Sequence, residues 1–223
     1  MRDSPRSIRD NMLLRFLEWQ AIETTEEFVR TGKALDVHDL IHDEQWDVYQ
    51  RGMRSLARLS APEVAVRTPC LGNPLTMLDV GGGHGAYSAA FCRRYPQLKA
   101  TILDLPQAVD AATPLVAEED LEERIVHKAG NALTEDLGRA AWDIILVSIW
   151  CIISAMPKIV PFLNELRMRF DRTALSSFSM YCGNHLGRSA VRQGLYSIFI
   201  LRSPASLAPF RRSRSLAGLP QPS

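Results

Sequence analysis

The chain has almost no charge imbalance. Its 26 Lys and Arg against 25 Asp and Glu leave a net +1 over 223 residues, which gives no reason to expect nucleic acid or an anionic membrane surface as a partner. Long hydrophobic runs are also missing. The longest, Ile144 to Ile153, includes Ser148 and falls short of the roughly 20 apolar residues a spanning helix needs. No basic-then-apolar leader opens the sequence; the start, MRDSPRS, is charged and polar, so no signal peptide is expected. Cysteine is scarce. Cys70, Cys92, Cys151 and Cys182 form no CxxC pair and no zinc spacing, so reduced thiols in a cytoplasmic protein are expected. His38 and His42 stand four apart but lack the intervening glutamate and the further ligand of the metalloprotease pattern, and are read as exposed polar residues; no metal site is expected. Acidic residues are absent after Asp171, where Arg172, Arg188, Arg192, Arg202, Arg211, Arg212 and Arg214 all occur. Such a shift is odd for the end of one folded domain.

What is present is ordinary for a soluble globular chain: 46% hydrophobic and 23% charged residues, with length enough for one real core and one main domain. The organising stretch runs from Met77 to Asp104. Met77 to Val80 is a short apolar run holding one acid, Asp79. Gly81, Gly82, Gly83 and Gly85 follow. The spacing then turns helical, with Tyr87, Ala90 and Phe91 on one face, and Pro96 ends that helix. A second apolar run, Ala100 to Leu103, ends in Asp104. Strand, glycine turn, helix, strand and acid make one nucleotide-binding βαβ half. Glycines allow a tight turn and close approach of a ligand. The new helix presents free N–H groups there, and an acid about twenty residues on can accept hydrogen bonds from ribose hydroxyls. Two cofactors fit by spacing alone. Gly81-x-Gly83-x-x-Ala86 matches the dinucleotide fingerprint, and Asp79-x-Gly81-x-Gly83-x-Gly85 matches the glycine loop of class I methyltransferases.

Elsewhere the periodicity predicts a helix from Ser4 to Gly32, with Leu13, Leu14, Phe16, Leu17 and Ile22 as its apolar stripe. A second helical region is expected from Asp36 to Ala61, with Trp46, Tyr49, Met53, Leu56 and Leu59 at helical spacing. Pro62 to Pro74 reads as a linker. Helices are expected at 107–116 and 120–124, then a third strand at 124–129 and a fully apolar fourth strand after Asp143, ending at Ser148.

The residues around the loop point to one family. LDVGGGHGAYS, then RRYP, then ATILDLP, continuing through RIVHKAGNAL to WDIILVS, resembles the small-molecule O-methyltransferases of the plant type and of bacterial polyketide and hydroxyneurosporene pathways. SPRSIRDNMLLRFLEWQAIETTEEFVRTGKALDVHD and YQRGMRSLARLSAPEVA resemble the segment preceding that domain in bacterial members. The resemblance covers about two thirds of the chain, ending near Ser148. It implies a Rossmann-like class I methyltransferase sheet of α/β class, here incomplete, preceded by a short helical region. It implies S-adenosylmethionine as cofactor, a small-molecule hydroxyl acceptor, and a homodimer in which the first helices meet a partner subunit and wall the substrate pocket. Gly81, Gly83 and Gly85 would pass beneath the methionine part of the cofactor, with Asp79 shaping the loop. Asp104, followed by Leu105, would hold the ribose. Asn131, followed by Ala132, stands where the family has an aspartate near the adenine amino group; it keeps a carbonyl acceptor and loses the charge. His84, inside the turn, is read as packing beside the loop.

Beyond Ser148 the resemblance stops. The family's general-base histidine, suited to the role by a pKa near neutrality, would fall where this chain has Cys151, Ile152 and Ile153, so no catalytic base is assigned. A shift of reading frame restores the pattern. Taking each codon's third base with the next two, residues 148–160 permit NLVHHFSDAENR, 169–174 permit ALRPDG, and 194–206 permit LLDLYFALTSQ. The histidine motif, the turn before a fifth strand and a later helix motif thus return in order and in one register. The expectation is a helical region at 1–70, a cofactor-binding domain at 71–150, and an out-of-frame, poorly ordered tail at 151–223 that leaves the sheet's apolar face partly uncovered. The function expected is S-adenosylmethionine-dependent O-methylation of a small aromatic or polyketide-like hydroxyl, impaired by loss of the base-bearing segment. An NAD-dependent oxidoreductase and a non-catalytic remnant are the alternatives.

Overall fold

The computed structural model describes residues 4, 7–23, 25–32, 41–68, 73–121, 123–138, 141–148, 179–182 and 197–202. Its centre is a sheet whose strands are β1 (Thr76–Val80), β2 (Lys99–Asp104), β3 (Ile125–Ala129), β4 (Ile144–Ser148), β5 (Ser179–Cys182) and β6 (Ser197–Arg202). Their spatial order is β3-β2-β1-β4-β6-β5. The first four are parallel. β6 then runs antiparallel along β4, and β5 antiparallel along β6. The helices are α1 (Arg9–Glu23), α2 (Thr25–Thr31), α3 (Trp46–Arg67), α4 (Ala86–Arg94) and α5 (Pro106–Ala117).

Register places Met77, Ala100, Ile125 and Ile144 in one row across four strands, and Asp79, Ile102, His127 and Leu146 in the next row on the same face. Met77, Ile102 and Leu146 are fully buried there, packed with Phe91 and Cys92 of α4, Val116 of α5, and Ala57, Ala61, Val64 and Ala65 of α3. One core therefore spans sheet, α4 and the C-terminal half of α3. Small residues at helical spacing let α3 lie close. A second cluster joins Leu14 of α1, Trp46, Tyr49 and Met53 of α3, and Ala108 of α5.

Several expectations change. The stretch from Pro62 is not a linker: α3 runs through Pro62 to Arg67. A proline inside a helix loses a hydrogen bond and clashes with the preceding turn, at about 3 kcal/mol, but Pro62 faces outward while Ala61, Val64 and Ala65 bury beside it. Thr68 closes the helix by donating both N–H and hydroxyl to the Val64 carbonyl, at 2.9 and 2.7 Å. The first helix divides into α1 and α2, and its stripe divides too: Leu14 is buried on α3 and Leu17 partly so, while Leu13, Phe16 and Ile22 face outward. Residues 118–124 carry no helix among those described. On the second face of the sheet Leu78, Val80, Leu103, Ile145 and Val147 are buried, while Val126, at the β3 edge, is exposed. Two short segments of the expected poorly ordered tail are strands β5 and β6. The rest of 149–223, including Cys151, Ile152, Ile153 and His185, lies outside the described residues, as do His38 and Cys70.

Candidate active site

β1 and β2 end side by side, with Asp79 paired to Ile102 and Val80 to Leu103. The turn of 81–85 leaves β1 there and feeds α4. Gly81 N–H donates to the Leu103 carbonyl at 2.8 Å, so the first turn residue is still tied to the sheet. Gly81, Gly83 and Gly85 have φ of +68°, +27° and +70°, the left-handed region that glycine enters without strain.

The glycines differ in what they face. A Cβ on Gly82 would stand 2.3 Å from Cγ of Asp79. One on Gly83 would stand 2.5 Å from Oε1 of Gln50, and one on Gly85 would stand 2.6 Å from Cγ2 of Val116. Only the Gly81 position, of these four, has nothing within 4 Å. Three of the glycines thus make room for the protein's own side chains, and the open side of the turn is at Gly81. Gly82, Gln50 and Ser88 were not singled out from sequence. Their signal is three-dimensional, because Gln50 comes from α3 and Ser88 from α4 to meet a turn more than thirty residues downstream of Gln50 in one case and immediately upstream of Ser88 in the other.

Asp79 is fully buried beneath the turn. Its Oδ2 accepts from the Ser88 hydroxyl at 2.7 Å, and its Oδ1 has no hydrogen-bond partner. Burial, helped by repulsion from Asp104 and opposed by the Ser88 bond, pushes its carboxyl up to about 7. An unpartnered buried carboxyl oxygen is costly. Asp104, half-buried, caps both neighbours: Oδ2 accepts from Gly83 N–H at 2.9 Å and Oδ1 from Leu105 N–H at 2.8 Å. Leu105 packs against the α1–α3–α5 cluster.

His84 is buried in the turn, with Nδ1 accepting from Ala86 N–H at 3.2 Å. Burial and the nearby Arg54 and Arg58 guanidiniums lower its pKa to about 3, so it stays neutral, an acceptor for the first N–H of α4. The arginines belong to a cluster in which Arg54 and Glu119 are buried while Arg58, Arg93 and Glu118 are exposed. Arg54, from α3, donates to Glu118 at 2.6 Å and to Glu119 at 2.5 Å; Arg58 and Arg93 each reach Glu119 at 2.8 Å. Burial alone would raise the Glu119 carboxyl, but hydrogen bonds from Arg54, Arg58 and Arg93 outweigh it and hold it at about 2. This cluster locks α3 onto the ends of α4 and α5, so that Gln50 is held over Gly83.

β3 brings the last predicted residues. Gly130 N–H donates to the Asp104 carbonyl at 2.8 Å, placing Asn131 and Ala132 beside the β2 end. Asn131 is exposed, and its Oδ1 accepts from Leu133 N–H at 3.0 Å. One lone-pair direction of that oxygen and the amide N–H groups remain for a ligand. Asp79, Gly81, Asp104 and Asn131 therefore gather at the C-terminal ends of three parallel strands, where open α/β sheets bind their ligands. Among the described residues no group of three His, Cys, Asp or Glu side chains is arranged to hold a metal ion.

A parallel α/β sheet whose strand ends carry a glycine turn flanked by carboxyl groups is the architecture of a Rossmann-like cofactor-binding domain. The comparisons agree. The family model described as the O-methyltransferase domain matches residues 32–167; the chain belongs to that family, whose members use S-adenosylmethionine. It is 31% identical over 115 residues to the mitomycin biosynthesis 6-O-methyltransferase of Streptomyces lavendulae, covering 48% of this chain and 33% of that protein. It is 32% identical over 137 residues to the grayanic acid biosynthesis cluster O-methyltransferase of Cladonia grayi, covering 57% and 30%. The matched stretch thus spans a third or less of these relatives' length. Among solved structures, human N-acetylserotonin methyltransferase in complex with S-adenosylmethionine shares the fold, with a TM-score of 0.60 at 14% identity over 90% of this chain and 72% of that one.

Proposed function

We propose that this chain binds S-adenosylmethionine at the Gly81–Gly85 turn, as the cofactor half of an O-methyltransferase for small aromatic or polyketide-like hydroxyl compounds. One observation carries the choice of cofactor. Four of the six N–H groups from Gly81 to Ala86, of the kind a dinucleotide would need for its pyrophosphate, are taken within the protein: Gly81 by the Leu103 carbonyl, Gly83 by the Asp104 carboxylate, Gly85 by the Gly82 carbonyl and Ala86 by His84. What the turn offers is the half-buried Asp104 carboxylate, with the buried Asp79 beneath it. That set suits a cation bearing a ribose and repels phosphate. When bound, S-adenosylmethionine supplies an electrophilic methyl on its sulfonium. Asp104 accepts from the ribose hydroxyls, Asn131 lies toward the adenine, and Asp79 fixes the turn beneath the methionine part, with Gly81 leaving the approach clear.

Transfer rests on positioning the acceptor hydroxyl and removing its proton. No described residue is assigned that proton. The family's base-bearing positions fall on Cys151, Ile152 and Ile153, and the proposal is that residues after Ser148 are read out of frame, leaving cofactor binding with impaired transfer. The family match runs on to residue 167, so the coding sequence decides this: codons whose shifted frame does not spell the histidine pair would end the idea. A homodimer is supported by the outward apolar residues of α1 and α2, with Phe16 75%, Trp19 63% and Val29 76% exposed. A cytoplasmic setting fits the free, buried Cys92. No helix among the described residues is long and apolar enough to cross a membrane. Calorimetric titration tests the core of the proposal. S-adenosylmethionine should release binding heat and raise the melting temperature while NADH does neither; the reverse result would overturn it.

A further inference from the structure

The glycine turn rests on a row of side chains that crosses three strands. Asp79 of β1, Ile102 of β2 and His127 of β3 are register partners on one face of the sheet. Each meets a different part of the turn: Asp79 lies under Gly82, Ile102 under Gly85, and the imidazole Nε2 of His127 stands 2.8 Å from the Gly83 carbonyl. A carbonyl only accepts, so Nε2 carries the proton. The other ring nitrogen, Nδ1, sits 3.5 Å from Oγ1 of Thr113 on α5, whose hydroxyl donates to the Val109 carbonyl at 2.8 Å. The ring is thereby walled between α5 and the turn.

Gly83 is held at both ends. Its N–H goes to Asp104 at 2.9 Å and its carbonyl to His127 at 2.8 Å. The peptide joining it to His84 is trans, so fixing the carbonyl toward β3 aims the His84 N–H the opposite way. A glycine with φ of +27° has little of its own to prevent that peptide from turning over. The Asp104 anchor is the one a ribose would compete for, whereas the other runs from His127 to the Gly83 carbonyl.

We propose that His127 is the positioning residue of this turn: by donating to the Gly83 carbonyl it sets the orientation of the 83–84 peptide, and so presents the turn in the form that takes the cofactor. The second half rests on the S-adenosylmethionine reading above. The first half does not.

The experiment is amide exchange by mass spectrometry on the unliganded full chain, over peptides spanning 79–87, followed by calorimetric titration with S-adenosylmethionine. His127→Leu should speed exchange in those peptides while leaving those of α3 and β4 as in the parent. It should weaken cofactor binding about fivefold, the worth of one net hydrogen bond. His127→Gln, whose carboxamide N–H can donate, should restore both to within about twofold. A role in packing alone predicts that Gln does no better than Leu. Should His127→Leu not fold, His127→Asn, polar but too short to reach Gly83, takes its place with the same expected losses. Unchanged exchange at 79–87 in the Leu or Asn variant, or a Gln variant as exposed as the Leu variant, overturns the proposal. A parent chain that binds no S-adenosylmethionine sinks the cofactor reading instead, and the exchange result still decides the role of His127.

Discussion

Asp79→Asn should uncover a hidden pH dependence of stability. Two buried groups in the turn titrate in opposite senses. The Asp79 carboxyl is raised from an ordinary 3.8 to about 7. The native state therefore keeps a proton that the unfolded chain has lost, so this contribution to stability is complete below pH 3.8 and is lost as pH rises through 7. His84 is lowered from 6.5 to about 3. There the unfolded chain takes the proton, so its contribution is complete above pH 6.5 and is lost as pH falls toward 3. With about 1.36 kcal/mol per pKa unit, going from pH 8 to pH 5 adds about 3 kcal/mol through Asp79 and removes about 2 kcal/mol through His84. The parent chain should therefore hold its stability to within about 1 kcal/mol over that range, because the two offset each other. Asp79→Asn leaves His84 alone and should lose about 2 kcal/mol between pH 8 and pH 5. Glu119, held at about 2 from an ordinary 4.5, titrates below this window. Urea unfolding followed by circular dichroism at several pH values reads the slope directly. Parallel profiles for the parent and Asp79→Asn would refute the reasoning. At pH 8 the variant should also be the more stable protein while binding S-adenosylmethionine more weakly, as expected of a group kept for function.

Gly82→Ala places a Cβ 2.3 Å from Cγ of Asp79; the carboxyl must leave Ser88, at about 3 kcal/mol of stability by overpacking, and thermal melting together with cofactor titration should show both losses. Glu119→Gln leaves Arg54, itself 4% exposed, without its closest charge partner, and should cost about 3 kcal/mol in urea unfolding; an unchanged midpoint would mean that Glu118 alone suffices. Asn131→Asp keeps the acceptor used by Leu133 and adds a charge toward the adenine amino group, so calorimetry should show S-adenosylmethionine affinity rising about threefold through a charge-assisted hydrogen bond. Phe16→Lys with Trp19→Lys should convert a dimer to monomer in sedimentation without altering cofactor binding, since both side chains point away from the turn's supporting cluster.

What could be read from sequence was the local part of the site. Strand, glycines, helix and acid sit within one stretch from Met77 to Asp104, so the order of residues alone places Asp79 and Asp104 at adjacent strand ends, and parallel pairing of β1 with β2 completes the geometry. Pro62 misled because a proline signals a break only when no tertiary contact overrides it; here the small residues around it bury against α4, and α3 continues. The parts that stayed hidden come from distant stretches. Gln50 against Gly83, His127 against the same glycine, and Arg54 with Glu118 and Glu119 join segments separated by 33, 44, 64 and 65 positions. No period or motif links such positions; only strand register and helix docking do. The division of labour among the glycines was equally invisible: as letters, Gly81 to Gly83 are identical, and only the neighbours show that two accommodate the protein's own side chains while a Cβ at Gly81 would meet nothing within 4 Å. The fold thus brings two strands and α3 to bear on Gly83, which is why a change at His127, far from the motif in sequence, is expected to be felt at the turn.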